Sequence, residues 1–259
     1  PMPRARDIFD ALSGKTIFST LDLASGYWQV PMHPDDAAKT AFTTPFGLHE
    51  FTAMSFGLRN APASFQRMMT LLLADLPPGV AWAYIDDIII ASSSVDDHLA
   101  DVASVLTRLR VAGLHARLNK CNFARNQLRF LGHIVSSSGL APDPSKCAAI
   151  RNLADPTNVS ELQTLIGMAS YYRDFLPDFA DRMAPLYDLT RKKTAFVWSS
   201  DCGRAVQWLK SALVSPPVLA HPDHSRPFRL VVDASRSGFG AVLEQTDDDN
   251  NNRPIAYAS

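Results

Sequence analysis

The chain has 259 residues, 46% of them hydrophobic and 20% charged, which is enough apolar material for a buried core and too much for disorder to be its main state. Its 25 Lys and Arg nearly balance its 26 Asp and Glu, for a formal net charge of -1, so a uniformly basic nucleic-acid coat is excluded and any such surface must be a local patch. Three cysteines, Cys121, Cys147 and Cys202, stand far apart with no Cys-x-x-Cys pair, which argues against a disulfide framework and a structural zinc site. A reducing, intracellular compartment fits them, with nothing to distinguish a cytoplasmic particle from the nucleus. The opening Pro1-Met2-Pro3-Arg4-Ala5-Arg6 is not a signal peptide and no apolar run has the length of a membrane span. No membrane partner is expected, and the Pro start reads as a cut from something longer.

In chain order, Ile8, Phe9 and Leu12 predict a short helix over 4–12 that stops at Ser13-Gly14. The β-branched and apolar run 16–21 predicts a strand that delivers Asp22 at its end. Two Pro-bounded pieces bracket residues 40–44, which read as part of a small hairpin. A helix follows Pro62 with Phe65, Met68, Met69 and Leu72 on one face, ended by Pro77-Pro78-Gly79. Two apolar runs, 80–85 and 88–91, then flank Asp86-Asp87 and predict a buried hairpin with its turn at the carboxylates. A helix over 95–112 is expected to show Leu99, Val102, Leu106 and Leu109 on its face, and 130–135 reads as a strand. Asp143-Pro144 caps a helix leading to Leu153, a second helix carries Leu162, Leu165, Ile166, Ala169 and Tyr172, and a third covers 202–213. Strands at 228–232, 240–243 and 255–257 close the chain; 235–238 separates the first two, and the acidic loop 247–252 precedes the last.

Adjacent carboxylates between apolar strands oppose each other's ionisation, and a divalent cation removes that cost. A plain turn accounts for Asp86 and Asp87 about equally well, because Asp is common in turns. Asp22 shifts the balance: a third carboxylate at a strand end lets three acids converge on one sheet edge. Such a cluster holds two Mg²⁺ ions about 4 Å apart, one activating an attacking hydroxyl and the other holding the phosphates of a leaving group.

The segment Phe18-Ser19-Thr20-Leu21-Asp22-Leu23-Ala24-Ser25-Gly26-Tyr27-Trp28-Gln29 resembles the first catalytic motif of reverse transcriptases from gypsy-type long-terminal-repeat retrotransposons. Tyr84-Ile85-Asp86-Asp87 is similar to the family's aspartate-pair motif, and 56–66, beginning Phe56-Gly57-Leu58-Arg59-Asn60-Ala61-Pro62, to its substrate and template motif. Leu118-Asn119-Lys120-Cys121-Asn122-Phe123 and Phe130-Leu131-Gly132-His133 resemble two later motifs, 165–175 the helical part, and 232–243 the opening of the linked ribonuclease H domain. The series runs in the family's order over essentially the whole chain.

The resemblance implies an α+β fold: a palm with partial fingers over 1–140, whose fingers hairpin spans about 31–57, a helical thumb over 141–195, and the N-terminal part of an incomplete ribonuclease H-like domain over 196–259. It implies an RNA-directed DNA polymerase in which Asp22, Asp86 and Asp87 are catalytic and, with the Leu23 carbonyl, hold two Mg²⁺ ions, or Mn²⁺ in their place. Ser25, Gly26, Tyr27, Phe56, Gly57 and Lys120 would meet the incoming nucleotide. Tyr27 would stand beneath its sugar and select deoxynucleotides, whereas without the motif it reads as a core tyrosine. Lys120 would neutralise the β- and γ-phosphates or protonate the leaving pyrophosphate. Tyr84, Leu131, Gly132 and His133 would contact the primer, although on composition alone 131–133 is an ordinary hairpin turn and His133 structural. Asp233 would be a partial ribonuclease H site.

The implied partners are an RNA or DNA template with its primer, deoxynucleoside triphosphates, and other parts of a parent polyprotein. Residues 102–142 support this locally, since they contain no Asp or Glu but include Arg108, Arg110, Arg117, Lys120, Arg125 and Arg129; a basic face in solvent is the plain alternative. Three departures qualify the match. The family's upstream fingers are missing before Pro1, Ser55 stands where Pro is usual, and the ribonuclease H resemblance stops at Ser259 short of about four carboxylates. No ribonuclease H activity is therefore expected, and the alternative function is a truncated or domesticated remnant that binds nucleic acid without extending it.

Overall fold

The structure, a computed structural model, describes residues 2–192, 194–234 and 239–259. The segment 235–238, read as the link between two terminal strands, lies outside the described residues. The chain divides into two compact units, Pro1–Leu131 and Gly132–Ser259.

The first unit opens with α1 (Ala5–Asp10), shorter at both ends than its apolar spacing predicts, and β1 (Ile17–Asp22). A 3₁₀ turn at Gly26–Gln29 leads to α2 (Pro34–Ala37), and the predicted hairpin is β2 (Phe42–Thr44) against β3 (Gly47–His49). Then come α3 (Ala61–Leu73), β4 (Ala81–Tyr84), β5 (Asp87–Ser92), α4 (Val95–Val111), β6 (Asn122–Arg125) and β7 (Gln127–Phe130). Four of the strands form an antiparallel sheet in the order β4-β5-β1-β6.

Strand alternation gives this sheet two faces. Leu21, Ile88, Ile90 and Ala83 pack with Phe65, Met69 and Leu73 of α3 and with Val105 and Leu109 of α4. Asp22 and Asp87 fall on the opposite face, because they share parity with Thr20 and Ile89. The inward face of α4 is the predicted one in part: Val102 and Leu109 face the core as expected, but Leu99 and Leu106 are exposed and His98 and Val105 take their place. Both stripes have helical spacing. The one chosen contains a histidine because the sheet offers it hydrogen-bonding partners.

The second unit begins with the hairpin β8 (His133–Ser136) and β9 (Gly139–Pro142). The strand predicted over 130–135 is thus interrupted: Leu131 has φ 44° and Gly132 φ 71°, left-handed values that end one strand and start another. Gly139, at φ 134°, lies so close to the Leu219 carbonyl that any Cβ would strike it. Helix α5 (Pro144–Arg151) starts where the Asp-Pro cap predicts, with Asp143 Oδ1 accepting from Ser145 N at 2.9 Å. Next come α6 (Val159–Ser170), α7 (Phe179–Leu189) and α8 (Ser200–Ala212). The sequence reading contains no helix at α7; the chain is helical there, with Pro185 inside it, because Phe179, Met183, Leu186 and Leu189 bury one stripe. An antiparallel sheet of β10 (Arg229–Ala234), β11 (Phe239–Thr246) and β12 (Asn252–Ala258) ends the unit. Cys121, Cys147 and Cys202 are all free thiols, and no helix among the described residues is long and apolar enough to cross a membrane.

Candidate active site

The antiparallel register of β1 and β5 sets Asp22 directly opposite Asp87 at the open end of the sheet. Asp86 lies in the two-residue turn between β4 and β5, and its carbonyl accepts from Leu23 N at 3.2 Å, which draws the chain after β1 onto that turn. Ile85, the other turn residue, has φ 56°, a left-handed value that strains a β-branched side chain. Gln66 of α3, buried among apolar neighbours, holds it there: its Oε1 accepts from Ile85 N at 2.7 Å and its Nε2 donates to Ala83 O at 2.9 Å. A polar residue inside an apolar helical stripe was the available signal for this role, which sequence reasoning did not assign.

Lys120 closes the site from a 3₁₀ turn at Leu118–Lys120. Its Nζ is 3.3 Å from Asp22 Oδ2, and Arg117 N donates to Asp22 O at 2.8 Å. Burial pushes the Asp87 carboxyl up to about 6, the charges of Asp86 and then Asp22 add to the rise, and Lys120 opposes it. Among the described residues no three His, Cys, Asp or Glu side chains are grouped so as to hold a metal ion by themselves. The donor chemistry nonetheless fits a hard divalent cation: the candidate ligands are all oxygens, and two carboxylates oppose the ionisation of a third across adjacent strands.

Beyond Leu23 the chain turns sharply. Ser25 has φ 54°, and Gly26 is buried so close to the turn that a Cβ there would lie 3.1 Å from Phe65 Cζ and 3.2 Å from Asp86 Cβ. Only hydrogen fits comfortably at that position. Tyr27 stands next to it, its ring 5.2 Å from Phe56 and 5.5 Å from Phe65, with its phenol raised by burial and then by the Asp86 charge. Phe56 is exposed and Gly57 has φ 88°. Gln29 stitches the segment in place, donating to Ala24 O at 2.6 Å and accepting from His115 N at 2.6 Å. Its position in the first motif was legible, its bridging role was not.

Among the residues read as primer contacts, Tyr84 ends β4 opposite Asp87 and Leu131 ends the first unit. In the second unit the Gly132 carbonyl accepts from Tyr172 Oη at 3.0 Å, and His133 is buried against Tyr171, Tyr172 and Phe175. Asp233 is exposed on β10 opposite Gly240, while Glu244 of β11 faces Arg229, with 3.4 Å between Arg229 Nη1 and Glu244 Oε1.

The family model described as reverse transcriptase (RNA-dependent DNA polymerase) matches residues 1–135, and that of the RNase H-like domain found in reverse transcriptase matches 198–259. The Drosophila melanogaster Pol polyproteins from transposons opus and 297, described as retrovirus-related, are 42% and 38% identical over the whole chain, and the Schizosaccharomyces pombe transposon Tf2-3 polyprotein 34%. The chain spans 27%, 24% and 19% of those polyproteins. The foamy viral protease-reverse transcriptase in complex with RNA/DNA hybrid superposes with a TM-score of 0.85 at 28% identity, covering 100% of this chain and 35% of that one. Its complex with double-stranded DNA gives 0.84 at 29% identity, covering 98% of this chain and 53% of that one. The chain belongs to the reverse transcriptase (RNA-dependent DNA polymerase) family, in the branch formed by the Pol polyproteins of gypsy-type long-terminal-repeat retrotransposons.

Proposed function

We propose that the chain carries the polymerase centre of an RNA-directed DNA polymerase that extends a primer with deoxynucleoside triphosphates. The observation that carries this reading is the β1–β5 register, which sets Asp22 opposite Asp87 with Asp86 in the adjoining turn. In this reading Asp22, Asp86, Asp87 and the Leu23 carbonyl would hold two divalent cations, Mg²⁺ or Mn²⁺, whose chemistry there would be to activate a primer hydroxyl for in-line attack and to neutralise charge on the triphosphate.

The protein's own groups do the rest. The tight Ser25-Gly26 turn brings backbone to the triphosphate without side chains in the way. Tyr27, braced by Phe56 and Phe65, closes the space that a ribose 2′-hydroxyl would need. Lys120, whose contact with Asp22 supports the reading, would neutralise or protonate pyrophosphate as it leaves. Tyr84, Leu131, Gly132 and His133 are assigned to the primer. Residues 1–140, 141–195 and 196–259 are assigned to palm with partial fingers, thumb, and the start of the ribonuclease H-like domain, with Asp233 in a partial site.

Primer extension on an RNA template with Mg²⁺ tests the reading: extension is expected, and Asp86→Ala should abolish it. Primer-template binding without any incorporation would replace the reading with that of a non-catalytic remnant.

A further inference from the structure

One buried titratable group has no part in the chemistry proposed above. His98, 1% exposed on the inner face of α4, lies between serines of two neighbouring strands. Its Nε2 is 2.6 Å from Ser19 Oγ of β1 and its Nδ1 is 2.9 Å from Ser92 Oγ of β5. Ser92 Oγ donates to Asp101 Oδ2 at 2.7 Å, and Ser19 Oγ accepts from Ala124 N of β6 at 3.0 Å.

The proton order follows by elimination. An ionised carboxylate only accepts, so the single Ser92 hydroxyl proton goes to Asp101, and Ser92 must accept from Nδ1–H. Nε2 then carries the lone pair and accepts the Ser19 hydroxyl proton. The bonds run head to tail from Ala124 N–H through Ser19, His98 and Ser92 to Asp101, and every donor is used only if the imidazole is neutral. Burial lowers the His98 pKa, consistent with that state, and Asp101 is the charged group that opposes the shift.

The apolar residues of these strands specify their pairing poorly. Strand β5 reads Ile88-Ile89-Ile90-Ala91 and is buried on both faces, so sliding it by one residue against β1 would still bury isoleucine. The same slide would turn Ser19 or Ser92 away from His98 and leave a buried imidazole without its partners. We infer that His98 is a positioning residue whose hydrogen bonds to Ser19 and Ser92 select the β1–β5 register, and thereby set Asp22 opposite Asp87. Through Ala124 the same network anchors β6, the strand that follows Lys120. Its consequence for catalysis rests on the proposed polymerase reading; its consequence for the register does not.

His98→Phe keeps a planar ring, somewhat larger than the imidazole, and removes both nitrogens. At a temperature where circular dichroism shows it folded, kcat for extension should fall about tenfold or more, with primer-template Kd within about twofold of the parent. The Mg²⁺ concentration for half-maximal extension should rise, Mn²⁺ binding followed by water-proton relaxation should weaken, and the Ala124 amide should exchange faster. His98→Asn, whose amide nitrogen stands near the Nδ1 position, should recover part of the loss. Ser92→Ala removes one arm at almost constant volume and carries the same expectations if His98→Phe does not fold. Unchanged kcat, Mg²⁺ dependence and Mn²⁺ affinity in a folded variant, with an active parent, would overturn the role of His98 and leave the polymerase reading standing. A parent that extends no primer would overturn the polymerase reading, and Mn²⁺ affinity and amide exchange would still decide on His98.

Discussion

At the scale of single residues, Asp87 and Tyr27 carry the sharpest expectations. The Asp87 carboxyl is raised from 3.8 to about 6. A raised acid favours the folded state most below its unfolded pKa, and that contribution is lost as pH climbs through the folded value. Without metal, Asp87→Asn should therefore stabilise the protein more at pH 8 than at pH 5, by a difference on the order of 1 kcal/mol after allowance for solvent screening. Thermal melts in chelator at the two pH values measure it, and equal gains would refute the raised Asp87 carboxyl. Tyr27 packs between Phe56 and Phe65. Tyr27→Ala should open the space beside the sugar, raising ribonucleotide incorporation by roughly tenfold or more relative to deoxynucleotide, since the discrimination is a steric exclusion. Unchanged sugar preference in single-nucleotide extension would remove Tyr27 from that role. Asp22, Asp86 and Asp87 were legible as a set because like charges between apolar runs need an explanation. Gln66 and His98 were not, because a polar side chain within an apolar stripe gains its meaning from partners distant in sequence.

At the scale of elements, most helices and strands follow from periodicity and capping. Ser94 Oγ accepts from Asp97 N at 3.2 Å at the start of α4, and Asn158 Oδ1 accepts from Glu161 N at 3.0 Å at the start of α6. Two elements depart from local pattern for identifiable reasons. Helix α7 forms despite Pro185 because tertiary burial outweighs one lost backbone bond, and α4 turns His98 inward because Ser19 and Ser92 await it. The rotation of α4 has a measurable outcome. Val105→Ala, at a fully buried position, should cost about 1–3 kcal/mol in urea unfolding, whereas Leu99→Ala and Leu106→Ala on the exposed side should each cost roughly 0.5 kcal/mol or less. Larger costs at Leu99 and Leu106 than at Val105 would mean that the helix packs through Leu99 and Leu106 after all.

At the scale of the whole molecule, the net charge of -1 conceals a division of labour. The first unit sets Asp22 and Asp87 at strand ends, and a stretch without acidic residues, 102–142, begins on its helix α4 and runs into the second unit. Arg108 and Lys120 of that stretch are engaged by Asp75 and Asp22, while Arg110, Arg117, Arg125 and Arg129 are exposed. If those four meet phosphates, binding of an RNA/DNA hybrid should weaken with salt at a log–log slope of roughly -3 to -4, from about 0.9 per phosphate contact. A slope near zero in fluorescence-anisotropy titrations between low and moderate salt would exclude this stretch as the interface.

The order of motifs along the chain, the periodicity of its helices and the placement of paired acids between apolar runs are local properties, and they determined the family, the α+β class and the candidate catalytic residues. What only the tertiary structure decided is the register. The apolar residues of β5 would be buried in either phase, so no pattern along the strand says which residue of β1 faces Asp87. That choice is settled by directional hydrogen bonds of His98 to a serine on each strand, while Gln66 fixes only the adjoining Ile85 turn. Hydrophobic burial depends on area and has no direction, whereas a buried polar group is satisfied in one geometry, so the arrangement of the acids becomes definite only when those partners meet in space.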